Sequence, residues 1–413
     1  MPFFKSEPIP SNISPSNPDF TCLKSSVAYY GHLNQIVQLN INQSSLVILL
    51  EKWKCKKDVN SVVRDFIRPV VHEFRHWVDM HCTPAELSVL NYIFRLAKSR
   101  DDKKAIWEVK KNISLEVFKD KISNIPELPW GINATRSVPV FFEKIEHLSL
   151  CFFKKENSRH FCKSPLYLGS MLEVNAVWQE LYEGTALSRN DETWVVEKKF
   201  LAEEFSRFVY DSRLPEYHSL AHFVALQKGE PDILTTYRLA SAISTFILMM
   251  PDDFLYKSVE KCVFELQKDA RYSDVIRLNR EWPREFLYYF IVTKLHKINN
   301  YDDVNEIFSL LPFWWSVRDN YFDLAYAGYC NKLKTMAAEF GGYFESIANA
   351  LQSNAQSLMG QKSLNPFLLM LKKPPIYLND GTIPGDSAFS GYEDYFMSIP
   401  DAEMAMAIKI GNQ

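Results

Sequence analysis

His72-Glu73-Phe74-Arg75-His76 sets two imidazoles four residues apart with a carboxylate beside the first. On a helix, residues four apart stand one above the other, so both rings can hold one metal ion while Glu73 lies next to it to carry protons. The chemistry of such a group is metal-assisted hydrolysis: a cation polarises a carbonyl and acidifies a water, and a carboxylate moves the proton. Val63, Phe66, Ile67, Val70, Phe74, Trp77 and Val78 recur at helical spacing as an apolar stripe, while His72, His76 and Asp79 fall on a different side. The expectation is a helix anchored in a core by one face and carrying its ligands into a cleft. Pro69 lacks a backbone donor, so it must kink that helix or mark its first turn. The competing reading is an ordinary amphipathic helix with two exposed histidines.

Catalytic zinc takes three protein ligands and keeps a fourth position for water, so a third ligand is needed. The helical stretch from Gly169 to Leu181, which ends at Gly184, offers Glu173 with Ala176 one turn on, an E-x-x-A pattern. With H-E-x-x-H it resembles the gluzincin branch of the zincin metallopeptidases over residues 37 to 184. The resemblance implies Zn2+ bound by His72, His76 and Glu173, with Glu73 as general base and Ala176 allowing close helix approach. It also implies a protein or peptide substrate. Ser170-x-x-Glu173 reads equally as a capping box, in which the glutamate folds back on the helix start. Glu180, seven residues on and near the same face, is a reserve third ligand or an acceptor that orients a histidine, and Asp79 is held in the same reserve. The spacing departs from compact members, because about a hundred residues separate His76 from Glu173, and the excess must be looped out at small entropic cost.

The elements that must position these groups read as α+β, predominantly α-helical. Residues 1–20, rich in Pro, Ser and Asn, read as a flexible tail. Val37 to Asn42 alternates as a strand, and Ser44 or Ser45 is the expected cap of a helix through Leu46, Leu49, Leu50 and Trp53. Further helices are expected from Ala85 to Ser99 and over 101–122, then a proline-bearing connection from Ile125 to Trp130. Val138 to Glu143 and Leu148 to Phe153 read as two strands of a small antiparallel sheet. The segment from Leu148 to Phe152 is the expected strand that holds substrate by strand addition. A zincin-like domain over 21–195 is followed by a helical domain over 196–372, with aromatic-rich helices around Phe200 to Tyr210, Ile233 to Met250, Phe254 to Lys268, Glu285 to His296 and Tyr321 to Met336. Residues 373–413, with Pro374-Pro375, Asp380-Gly381 and Pro384-Gly385, read as an irregular segment. Trp314-Trp315 reads as core or interface.

At 413 residues, 47% hydrophobic, the chain can build two or three cores. A net charge of −3 gives no general attraction to nucleic acid or to an anionic membrane. Cys22, Cys55, Cys82, Cys151, Cys162, Cys262 and Cys330 are odd in number, scattered and free of any C-x-x-C pair, which points to reduced thiols in the cytoplasm. No apolar run approaches a membrane span, and the amino terminus lacks the apolar core of a signal peptide. His218-Ser219-Leu220-Ala221-His222 repeats the histidine spacing without an internal glutamate. His218 or His222, or equally His147 or His160, is available to stabilise an oxyanion. The alternative to a peptidase is a non-catalytic zincin-like or all-helical protein whose helical half binds a protein partner.

Overall fold

β1 (Ala28–Gly31) runs antiparallel to β2 (Ile36–Leu39), Ala28 opposite Leu39 and Gly31 opposite Ile36. The structure, a computed structural model, describes residues 28–32, 35–56, 62–99, 101–113, 134–140, 148–154, 160–188, 195–196, 199, 215–229, 232–269, 272–297, 304–312, 320–374 and 376–382. The expected tail over 1–20, the 125–130 connection, the 200–210 helix and Trp314-Trp315 lie outside the described residues.

Asn42, not Ser44 or Ser45, caps α1 (Gln43–Lys54): its side chain accepts from the Ser45 N–H at 2.8 Å. A cap must have an extended backbone, which Asn42 has as the chain leaves β2, whereas the two serines are already inside the helix. A π-helical turn over Val63–Ile67 leads into α2 (Arg68–Cys82), and the Arg68 N–H bonds the Val63 carbonyl five residues back. Pro69 therefore falls in the first α-helical turn, where a missing donor is tolerated. Next come α3 (Pro84–Lys98) and α4 (Lys103–Ile113). Thr83 ties α2 to α3, its hydroxyl donating to the Asp79 carbonyl at 2.9 Å and accepting from the Glu86 N–H at 3.4 Å.

β3 (Ala134–Val140), β4 (Ser149–Lys154) and β5 (His160–Pro165) form the expected antiparallel sheet, with β4 in the middle. That position corrects the expectation for Leu148 to Phe152. Both edges of β4 are already hydrogen-bonded, to β3 and to β5, so it has no free edge for a substrate strand.

α5 (Leu168–Ser188) is buried on every side from Leu168 to Gln179. It packs against α2, α6 (Pro215–Lys228) and α7 (Ile233–Leu248). The chain continues through α8 (Asp252–Leu266), α9 (Ser273–Arg277), α10 (Pro283–Thr293), α11 (Val304–Ser309), α12 (Tyr321–Phe340) and α13 (Gly342–Gly360). Gly341 joins the last two at φ +60°, a conformation that suits glycine. β6 (Ile376–Leu378) then pairs parallel to β2, so a segment expected to be irregular closes the first sheet.

The fold is α+β and predominantly helical, with two small three-stranded sheets. One hydrophobic core runs from Ala28 to Leu378, and α5 meets α6 and α7 within it. No single helix among the described residues is long and apolar enough to cross a membrane.

Candidate metal centre

α2 and α5 bring His72, His76 and Glu173 together. The Oε2 atom of Glu173 lies 3.4 Å from His72 Nε2 and 3.5 Å from His76 Nε2, and one donor atom from each of the three lies within 4.8 Å of the others. Two ligand atoms at about 2.1 Å from a tetrahedral zinc are about 3.4 Å apart, so these two separations match two edges of such a polyhedron. They are long for a charge-assisted hydrogen bond, which runs at about 2.7–2.9 Å. Glu173 is fully buried, and neither of its oxygens nor either ring nitrogen of His76 has a partner in hydrogen-bond geometry. Among the described residues this is the only triad of His, Cys, Asp and Glu side chains so arranged. The three donors fit a divalent cation.

The capping reading of Glu173 does not hold. The helix begins at Leu168, so Ser170 lies inside it and its hydroxyl donates to the Pro165 carbonyl at 3.1 Å. Ala176 is completely buried on α5.

The second nitrogen of His72 is also engaged, Nδ1 lying 3.4 Å from Glu180 Oε2, while Glu180 Oε1 lies 3.8 Å from Arg68 Nε. Glu180 is not among the three clustered donors and lies beside Nδ1, a place that suits the outer of the two roles held open for it, while Nε2 faces Glu173. Burial alone would depress the His72 pKa, but Glu173, Glu180 and then Glu73 outweigh it and raise it well above the ordinary value. Burial likewise works to raise Glu173, yet the imidazoles of His76 and His72 bring it down to about 2. Glu73 is 1% exposed, and its Oε2 accepts the Tyr30 N–H of β1 at 2.9 Å.

Asp79 does not join the site. Both its oxygens accept from Arg75 Nε at 2.9 Å, and Oδ2 also accepts from Asn175 Nδ2 at 3.0 Å. Arg75, fully buried, reaches Gln179 on α5 and Thr245 on α7, at 3.0 and 2.9 Å. Asn175 takes the Ser241 hydroxyl at 2.9 Å. This polar network locks α2, α5 and α7 in one register, and that register places Glu173 opposite the histidines. It also explains why α2 has no exposed polar face: its polar side is met by polar groups from α5 and α7.

Three neighbours were not indicated by the sequence. Tyr217 of α6 stacks on His72 at 5.9 Å between ring centres. Tyr30 supplies the amide to Glu73 and stacks on His76 at 6.3 Å. His32, just past β1, sets its ring edgewise to His76 at 5.6 Å. It is 2% exposed, and burial, helped by the nearby His76 and opposed by Glu173, lowers its pKa to about 3. No motif marks these residues, because a lone histidine after a four-residue strand has no spacing to betray it.

Of the four histidines considered for an oxyanion, His147 and the side chains of His160 and His218 lie outside the described residues. His222 is buried on α6, and burial lowers its pKa to about 3. Cys82 and Cys262 are buried thiols whose pKa burial raises, as inert core cysteines require. Compared with protein-family models, with curated proteins and with solved structures, the chain matches none.

Proposed function

We propose that the chain is a zinc-dependent hydrolase of the zincin type that cleaves amide bonds, with peptides or proteins as substrates, in the cytoplasm. The observation that carries this reading is the convergence of Glu173 on His72 and His76 at 3.4 and 3.5 Å, from an element about a hundred residues away, with Glu73 next to them on α2.

His72, His76 and Glu173 would hold the ion. Among the described residues no fourth protein ligand accompanies them, which suits a site with a position open to water. The ion would supply Lewis acidity toward a carbonyl and a bound water with pKa near ~7. Glu73, beside the ligands on α2, is the group that would accept a proton from an attacking water and return it to the departing amine. The Tyr30 amide holds one Glu73 oxygen, so the carboxylate presents a fixed orientation to the water. Glu180 and Arg68 fix the ring of His72, and Tyr217 covers its face.

The test is proteolysis of a diverse peptide mixture, read by mass spectrometry, with zinc-loaded parent and Glu73→Gln proteins of equal metal content. The parent should cut at defined bonds and the variant should fall by at least about a hundredfold, the span of a lost general base. Equal cutting by both would overturn Glu73 as the base. A parent that holds zinc and cuts nothing, in this mixture or in a proteome digest, would favour the non-catalytic reading.

A further inference from the structure

We propose that His32 donates a hydrogen bond to the oxygen that occupies the open position of the metal centre, water at rest and the substrate carbonyl oxygen during reaction. This rests on the reading of His72, His76 and Glu173 as a metal site. Hydrolysis of an amide needs a donor aimed where negative charge develops, and neither Glu73 nor the three ligands can donate there.

His32 is the buried group in the right place with nothing else to do. Neither Nδ1 nor Nε2 has a hydrogen-bond partner, although the residue is 2% exposed. A buried imidazole with both nitrogens orphaned is costly, so a fold that retains it has a use for it. Its ring stands edgewise to His76 at 5.6 Å and to Tyr30 at 4.9 Å, and Glu173 is among its electrostatic neighbours. It is not a member of the ligand triad, whose atoms lie within 4.8 Å of one another. The position is beside the ligands without being one of them, as a donor to a metal-bound oxygen requires.

The backbone that carries His32 is held firmly. Gln35 adopts φ +58°, a left-handed conformation that is unfavourable for a residue with a side chain. It is kept there by three bonds: its N–H to the Gly31 carbonyl, its side-chain amide to the His32 carbonyl, and its side-chain oxygen from the Tyr30 hydroxyl. Strain so over-determined, next to a candidate site, fits a turn built to aim one side chain. Tyr30 in β1 and His32 just past it then both lie against the centre, the Tyr30 amide on Glu73 and the His32 ring edgewise to His76.

The test uses the full chain loaded with Co2+, whose visible absorption reports coordination, and acetohydroxamate as the probe. Acetohydroxamate places a carbonyl oxygen on the metal. His32→Phe keeps a ring against Tyr30 and His76 and removes the donor, while His32→Gln restores an N–H. The prediction is one cobalt per chain and an unchanged cobalt spectrum in all three proteins, acetohydroxamate bound about tenfold more weakly by His32→Phe, and part of that loss recovered in His32→Gln. Loss of cobalt from His32→Phe, with circular dichroism intact, would make His32 a ligand and overturn the proposal, and so would unchanged probe affinity. If His32→Phe does not fold, His32→Gln and His32→Asn decide: either must hold cobalt and bind the probe more tightly than His32→Ala. A parent that takes up no cobalt would sink the metal reading itself, and this inference with it.

Discussion

Glu180 decides how His72 is presented. With Nδ1 beside Glu180 and Nε2 beside Glu173, the ring has one orientation and one tautomer available to a metal. Glu180→Gln should weaken zinc binding by about 10–100-fold without unfolding the protein, measured by competition with a chromophoric chelator. The proton on His72 gives a second check. Its pKa is raised well above 6.5, so at neutral pH the metal-free site holds a proton that an incoming ion must expel. Zinc affinity should therefore rise with pH, by about tenfold per unit while one proton is displaced, and level off above the raised pKa. A pH-independent affinity between 6 and 8 would count against it. At this scale the sequence was informative: His72, Glu73, His76 and Glu173 are all brought together, because helical spacing and one acidic residue on a later helix are local signals. His32, Tyr30 and Tyr217 were not legible, since each acts through a contact with a distant segment and follows no repeat.

The helices were legible in kind and close in extent, as with α3, α7, α10 and α12, because their apolar periodicity is strong. What failed was the environment of α2. A stripe of apolar residues predicts one buried face, yet every residue from Val71 to Cys82 is buried. The polar side is covered because Arg75 and Asp79 find Gln179, Asn175 and Thr245, and such pairings across 96 to 170 positions leave no trace in one sequence. Arg75→Met should test this lock. It strips Asp79 of its buried counter-charge, so stability in urea should fall by about 3 kcal/mol, and zinc affinity should fall with it as α5 loses its register. A variant as stable as the parent, with unaltered zinc binding, would show that α2 and α5 are aligned by apolar packing alone.

Across the molecule, the amino-terminal and carboxy-terminal halves share one core, and β6 near the far end pairs with β2 near the start. The expected zincin-like and helical domains were inferred from a change in composition, which reports secondary structure and not where the core is divided. Glu183 shows the interdependence: it accepts from Gln179 on its own helix and from the Leu368 amide near the end of the described chain. Residues 1–195 expressed alone should lack a cooperative thermal transition, because α5 loses both α6 and α7. A sharp transition near that of the whole chain would contradict a shared core.

The central claim is that His72, His76 and Glu173 form one metal site. Elemental analysis of the purified chain, beside His72→Ala and Glu173→Ala, tests it most directly. Close to one zinc per chain is expected in the parent, with its loss or marked weakening in both variants, each still folded by circular dichroism. A parent that remains metal-free after zinc is supplied, or variants that keep their zinc, would contradict it.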